Sequence, residues 1–254
     1  VYGLTGTTNF GQISQYLSGT SGDPELISTG LVIGVLFIGM ALLFKATAAP
    51  FHMWAPDVYD GAPMPITSYL AIASKVAGIA ILLRIVLSIF DIADVSDSSW
   101  HSVLNWPDIS LSIAILSVFS MFVGNILAIK QTSLKRMLAY SSIAQAGYIL
   151  IGFVAILSST QINDAVFNAS VMVAYVFGYM FTNLAAFYSM GAIKQNLDSY
   201  NFNQFKGLGR IDVWNSFVLS VAMLSLIGIP PTLGFITKLF LFSTGINSGF
   251  TWLV

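Results

Sequence analysis

Long apolar stretches separated by short polar connections dominate the chain. Six of these stretches reach about 20 residues, the length that an α-helix needs to cross the hydrocarbon core of a bilayer. They lie near residues 28–51, 64–90, 109–129, 137–158, 165–193 and 213–246. The pattern predicts an all-α, polytopic bundle with about six transmembrane spans, and we expect residues 1–254 to form a single transmembrane domain.

Two of the six stretches contain prolines that predict a break. The first reads FKATAAPFHMW around Pro50, and the last reads LIGIPPTLGFITKLF around Pro230 and Pro231. Because proline lacks a backbone donor and disfavours helix at the preceding residue, we expect regular helix to be lost near 48–51 and 228–232. Paired broken helices are typical of inverted-repeat transporters, where protein or a hydrated cavity satisfies the freed backbone groups. The alternative is a simple proline kink with a nearby lysine that reaches the membrane interface.

Composition agrees with a membrane protein. Only 8% of the residues are charged and 56% are hydrophobic, whereas soluble domains carry roughly 25% charged residues. With no cysteine and two histidines, the chain is expected to hold no iron–sulfur cluster, haem or zinc, and no cofactor or metal of its own. It has no basic stripe with interleaved aromatics, so we expect no nucleic-acid partner.

The connections between the spans differ in charge. Those at 129–136 and 194–211 each carry three Lys or Arg residues, and threading the spans back and forth puts both on one side. The positive-inside rule predicts that this side is cytoplasmic or its equivalent. The acidic turn at 52–63 falls on the same side.

Three lysines lie inside the apolar stretches: Lys45, Lys75 and Lys238. An ammonium at bilayer depth costs roughly 2.5–3.5 kcal/mol, so ionisable groups there usually face a protein interior or a hydrated path and mark ion or proton conduction. Lys75 lies about 12 residues from either end of its stretch, roughly 18 Å at helical rise, too far for its side chain to reach the interface easily. We therefore expect all three to point into the bundle, at similar depth, as stations of a proton or cation path.

A polar row follows one face of the fourth span. Lys135, Leu138, Ser142 and Gln145 have the 0, 3, 7, 10 spacing of one helix face. The lysine, hydroxyl and amide could hold ordered water and relay protons. Equally, Ser142 and Gln145 could make interhelical hydrogen bonds while Lys135 is an ordinary interfacial charge. His52, beside the first break, could hydrogen-bond the broken helix or titrate near neutral pH, but we favour a structural role.

Three segments of the sequence resemble a known family. The strings PFHMWAPDVYDGAPMPITSYLAIASKVAG, QTSLKRMLAYSSIAQAGY and GIPPTLGFITKLFLF are similar to the antiporter-like subunit N of respiratory complex I, called subunit 2 in mitochondria and chloroplasts. The likeness covers nearly the whole chain. Gln145 stands where many bacterial members have histidine, which resembles the cyanobacterial and chloroplast variant and leaves the electron donor open between NADH and ferredoxin.

The resemblance implies a fold, a set of site residues and the part of the subunit to which this chain corresponds. The family fold contains two inverted repeats, each with a broken helix, and four family lysines match Lys45, Lys75, Lys135 and Lys238. The glutamate that pairs with the first of these in the family would precede Val1. Val1 is not an initiator methionine and the final TWLV lies in an apolar stretch, so we expect the central fragment of a longer subunit.

The function that the resemblance implies is proton translocation coupled to quinone reduction elsewhere in a complex, by a subunit without a redox site. NAD or ferredoxin, flavin, iron–sulfur clusters and quinone would then belong to partner subunits, and the partners of this chain would be other membrane-arm subunits and the lipid bilayer. We expect a bacterial plasma membrane, with a thylakoid or other energy-coupling membrane as the alternative. The rival function is a secondary cation/proton antiporter, and a purely structural role is the third possibility.

Overall fold

A computed structural model describes residues 2–9, 12–13, 24–89, 106–159, 161–193 and 199–254. Within these residues the chain is helical, and the single β contact there is a bridge between Ser133 and Asn201. The all-α prediction is confirmed.

The helices follow the predicted apolar stretches. In chain order they are α1 (Tyr2–Thr5), α2 (Pro24–Lys45), α3 (Trp54–Gly61), α4 (Met64–Tyr69), a π-helical turn (Leu70–Ser74), α5 (Lys75–Ile89), α6 (Trp106–Ile129), α7 (Leu134–Leu157), α8 (Ile162–Ile193), α9 (Leu208–Ile211), α10 (Val213–Ile227) and α11 (Leu233–Asn247), with 3₁₀ turns at Phe202–Phe205 and Thr251–Leu253.

Four of the predicted spans appear as continuous helical stretches that are long and apolar enough to cross a membrane. They are Met64–Leu87, Ile109–Ile129, Leu134–Leu157 and Asn163–Ile193. The last predicted span is instead divided between α10 and α11, and in the first predicted span regular helix ends at Lys45.

Both predicted breaks are present. Helix α2 ends at Lys45 and α3 begins at Trp54, while α10 ends at Ile227 and α11 begins at Leu233. The Ala49–Pro50 and Pro230–Pro231 peptide bonds are cis. Regular helix is lost where the prolines remove backbone donors, as the sequence predicts.

Serine side chains satisfy a backbone donor at each break. The Ala49 N–H donates to Ser120 Oγ of α6 at 3.0 Å, and the Gly234 N–H donates to Ser225 Oγ of α10 at 3.0 Å. Both bonds are buried. Because no water is available in a bilayer core, such partners are what makes a broken helix tolerable there.

Helix α7 is the centre of the bundle. It is the most buried of the four long stretches and packs against α3, α6, α8 and α11. Glycines allow its close approach to α6: a Cβ at Gly124 would lie 2.5 Å from Ala144 N, and one at Gly147 would lie 2.8 Å from Ser117 O. Small residues at such contacts are the usual means of packing transmembrane helices.

The polar connections meet on one side of the bundle. The Leu134 N–H donates to Tyr200 O at 2.9 Å, and the Phe202 N–H donates to Thr132 O at 3.1 Å. Arg136 forms an ion pair with Asp57 of α3 at 3.1 Å. The described parts of the two basic connections and of the acidic turn therefore share a side, as predicted.

Candidate functional site

Lys75 is buried in the middle of the bundle. It is 1% exposed and begins α5 directly after the π-helical turn. Its Nζ donates to Ser142 O at 2.5 Å and to Ser142 Oγ at 3.1 Å, and it lies 5.5 Å from the centre of the Tyr179 ring. Among the described residues, no carboxylate forms an ion pair with it. The amine is held by a carbonyl, a hydroxyl and an aromatic face alone.

The π-helical turn is a feature that the sequence reasoning missed. π-Turns inside α-helices are often found at functional sites. Here the turn precedes Lys75, and its Ala71 carbonyl accepts a long bond of 3.4 Å from the Tyr179 hydroxyl. Apolar periodicity shifts little across one extra residue, so the sequence gives no signal for it.

Lys135 lies at the start of α7 and is 3% exposed. Its Nζ donates to Asp60 O at 3.1 Å and to Ala62 O at 2.6 Å, at the C-terminal end of α3. A cation there is favoured by the helix dipole. The Tyr200 ring centre lies 4.9 Å from Nζ, and burial raises the pKa of the Tyr200 phenol, so Lys135 meets a neutral aromatic face.

Lys238 occupies the corresponding position at the second break. Its Nζ donates to Leu226 O at 2.6 Å and to Ile227 O at 3.2 Å, the last residues of α10. The Tyr148 ring centre lies 4.9 Å away. Gly228, with φ of +93°, lets the chain turn beside the lysine stem. The side chain is partly buried, as expected of a residue that points into the bundle.

Gln145 links α7 to the same carbonyl that Lys238 binds. Its Nε2 donates to Leu226 O at 3.3 Å, and its Oε1 accepts a short hydrogen bond from the Tyr175 hydroxyl. Lys135, Ser142 and Gln145 are all buried, so the predicted polar face of α7 is confirmed. Ser142 and Gln145 are three residues apart, roughly 4.5 Å along the helix. Ser142 binds Lys75, and Gln145 shares the Leu226 carbonyl with Lys238.

Lys45 does not follow the prediction. It is exposed, and the expectation that it points into the bundle is wrong for this chain. It is the last residue of α2, which packs on the bundle mainly through α5. Its stem approaches Gly78, where an added Cβ would lie 3.4 Å from Lys45 Cγ. The side chain thus rests on α5 one helical turn from Lys75, while no described residue covers its other side.

The remaining candidates lie at the two breaks. The Nδ1 atom of His52 is buried beside the backbone of Pro50, but no described residue meets it with hydrogen-bond geometry. Pro50, Pro230 and Pro231 are exposed and lie within the irregular segments. The described residues contain no group of three His, Asp or Glu side chains that could hold a metal ion.

A helical membrane bundle with two broken helices and lysines buried against its central helix is an antiporter-like membrane subunit. The chain belongs to the NADH:quinone oxidoreductase/Mrp antiporter transmembrane family, whose model matches residues 1–254. It is an integral membrane protein.

Individual relatives agree with this family. The chain is 36% identical over 255 residues to NADH-quinone oxidoreductase subunit N of Dehalococcoides mccartyi, covering 100% of this chain and 50% of that protein. It is 39% identical over 254 residues to NAD(P)H-quinone oxidoreductase subunit 2 of Nostoc punctiforme, covering 100% and 43%. The chain therefore spans about half the length of the curated relatives that it matches.

A solved structure has the same arrangement of helices. The chain is similar, with a TM-score of 0.68 and 32% identity, to a chain of respiratory complex I from Thermus thermophilus with bound aureothin. The similarity covers 98% of this chain and 47% of the other.

Proposed function

We propose that this chain is the central part of a proton-translocating membrane-arm subunit of an NADH or ferredoxin quinone oxidoreductase. Electrons do not enter it. Flavin, iron–sulfur clusters and quinone belong to partner subunits, and the chain moves protons through Lys75, Lys135 and Lys238 in a bacterial plasma membrane or another energy-coupling membrane.

The observation that carries this proposal is the setting of Lys75. An amine that is 1% exposed, and whose partners in the described part of the chain are Ser142 and an aromatic ring, is poorly suited to an anchoring role. Desolvation disfavours the charged form of such a group, whereas a nearby negative charge would restore it. A lysine in this setting changes its protonation when the charge of its neighbours changes.

The geometry provides neighbours on both sides of Lys75. On one side Lys135 binds the end of α3, and on the other Gln145 and Lys238 share the Leu226 carbonyl. Lysine groups accept and release protons, while the Gln145 amide does neither at ordinary pH. In the proposed path, Gln145 therefore orients the Leu226 carbonyl and water carries the proton between Lys75 and Lys238.

The test uses the assembled complex in proteoliposomes. With Lys75→Ala, we expect donor oxidation with a reduced proton yield or slower turnover. With Lys75→Arg, the side chain keeps its charge but cannot release a proton, so we expect a similar loss of proton yield or turnover. Lys130→Ala, at an exposed lysine of a connecting turn, is the matched control. Wild-type pumping and turnover in both Lys75 variants would overturn the proposal.

A secondary cation/proton antiporter is the second candidate, because the family description includes Mrp antiporters. A sodium site needs clustered oxygen ligands, usually carboxylates. The buried charged side chains among the described residues are Lys75 and Lys135, with no Asp or Glu, which favours proton over sodium transfer. Sodium-dependent flux through the isolated full-length subunit would support this second candidate.

A further inference from the structure

Tyr59 has a buried hydroxyl that the packing of the bundle does not require. Its side chain is 0% exposed and packs edge-on against Phe187 and Trp54, with ring centres 6.4 Å away in each case. A phenylalanine would make the same ring contacts. The Tyr59 hydroxyl lies near the Ser142 hydroxyl, but no described residue meets it with hydrogen-bond geometry. Burying an unpaired hydroxyl costs about 1–3 kcal/mol, so its presence needs a reason.

The position of Tyr59 supplies that reason. The carbonyl of the next residue, Asp60, binds Lys135, and the Tyr59 hydroxyl faces the Ser142 hydroxyl, which binds Lys75. Lys135 and Ser142 are seven residues apart on α7, roughly 10 Å along the helix. This gap is too long for one hydrogen bond. Tyr59 adjoins both of its ends, because it precedes Asp60 in the chain and its hydroxyl faces Ser142.

We propose that the Tyr59 hydroxyl is the proton-transfer group that connects Lys135 to Lys75, an inference that rests on the proposed function. A water molecule bound between Lys135 and Tyr59 takes a proton from the Lys135 ammonium and passes one to the Tyr59 oxygen. The Tyr59 hydroxyl then gives its original proton to Ser142, which gives its own to the Lys75 amine. Tyr59, Ser142 and the water end as they began, and one positive charge has moved between the lysines.

Other titratable groups around Tyr59 do not replace it. Tyr179 also faces Ser142, but its hydroxyl is directed to the Ala71 carbonyl. Asp57, on the same helix, pairs with Arg136 at the surface, where the Asp57 side chain is 76% exposed. Tyr59 is thus the described hydroxyl that adjoins the Lys135 acceptors and Ser142 together.

The main test is Tyr59→Phe in the assembled complex, reconstituted in proteoliposomes. The ring contacts are kept, so we expect normal assembly and thermal stability. We expect proton-coupled turnover to fall at least about tenfold, because a positioned proton-transfer group typically supplies about 100-fold or more. Tyr188→Phe, at a tyrosine of α8 that is 76% exposed, is the control and should pump like the wild type.

The outcomes separate this inference from the proposed function. Normal pumping by Tyr59→Phe together with lost pumping by Lys75→Ala overturns the role of Tyr59 alone. Normal pumping by both variants overturns the proposed function as well. A fluorotyrosine at position 59 keeps the ring and the hydroxyl but makes the hydroxyl more acidic. A relay hydroxyl then changes the rate of proton-coupled turnover, and an unchanged rate overturns the inference even if Tyr59→Phe assembles poorly.

Discussion

Gly234 is a position where even an added methyl group should strongly destabilise the fold. It lies buried in the first turn of α11, just after the second break. A Cβ there would lie 1.8 Å from Ser225 O, where real Cβ atoms essentially never come within 3.0 Å. With Gly234→Ala, α10 and α11 must therefore separate by about 1 Å or more. The bond from the Gly234 N–H to Ser225 Oγ is lost with that movement.

The expected cost follows from these two effects. Overpacking of a close contact costs about 1–3 kcal/mol, and loss of a buried hydrogen bond costs about 0.5–1.5 kcal/mol. We expect Gly234→Ala to lower the free energy of unfolding by about 1.5–4.5 kcal/mol. The movement also displaces Leu226, the neighbour of Ser225, whose carbonyl binds Lys238 and Gln145. We expect pumping by the surviving complex to fall too.

The assay compares thermal unfolding, assembled fraction and proton yield of the purified complex. Gly39→Ala is the control, because an added Cβ in α2 meets nothing within 4 Å of the described residues. That variant should match or slightly exceed the wild type in stability, since alanine favours helix over glycine by up to about 1 kcal/mol. Equal behaviour of the two variants would refute the close contact between α10 and α11.

Two further substitutions test smaller features of the fold. Ser120→Ala removes the acceptor of the Ala49 N–H and should destabilise the first break by about 1–3 kcal/mol in thermal unfolding. The control, Ser220→Ala, removes a bond within α10 and should not lower the stability in this way. Equal effects of the two substitutions would contradict a capping role for Ser120. Arg136→Gln removes ion pairs with Asp57 and Asp60, whose side chains are 76% and 40% exposed. The free energy of unfolding should therefore change by less than about 1 kcal/mol, and pumping should persist. A larger loss would mean that Arg136 acts elsewhere.

Much of the fold follows from two sequence patterns. The length of the apolar stretches predicts the spans because a helix must cross a fixed thickness. The positions of Pro50, Pro230 and Pro231 predict the breaks because a missing backbone donor interrupts a helix whatever residues surround it. The 3.6-residue period likewise places Ser142 and Gln145 on one face of α7, and that face is buried.

The tertiary contacts of the site are less accessible from the sequence. The cost of a buried ammonium predicts correctly that Lys75 is enclosed. The same reasoning fails for Lys45, which is exposed, because it assumes that other helices surround the lysine, and the described residues do not surround Lys45. Tyr175 lies in an apolar stretch and Tyr59 in the acidic turn. In either setting a buried tyrosine and an interfacial one have the same sequence pattern. Their hydroxyl contacts depend on which helices meet, and short-range spacing does not contain that information.

The three enclosed lysines differ in how their charge is held, and this difference suits a relay. Lys135 and Lys238 each bind carbonyls at the C-terminal end of a helix beside a break, where the helix dipole favours a cation by about 0.3–1 kcal/mol or more. Lys75 instead binds Ser142 in the middle of α7, without a helix end to help it. In the proposed path, the outer lysines therefore hold protons at rest while Lys75 takes one in transit. Release of a proton from Lys238 would leave its two hydrogen bonds possible but remove the positive charge that the end of α10 favours, so the second break would hold the lysine less strongly once the proton has left.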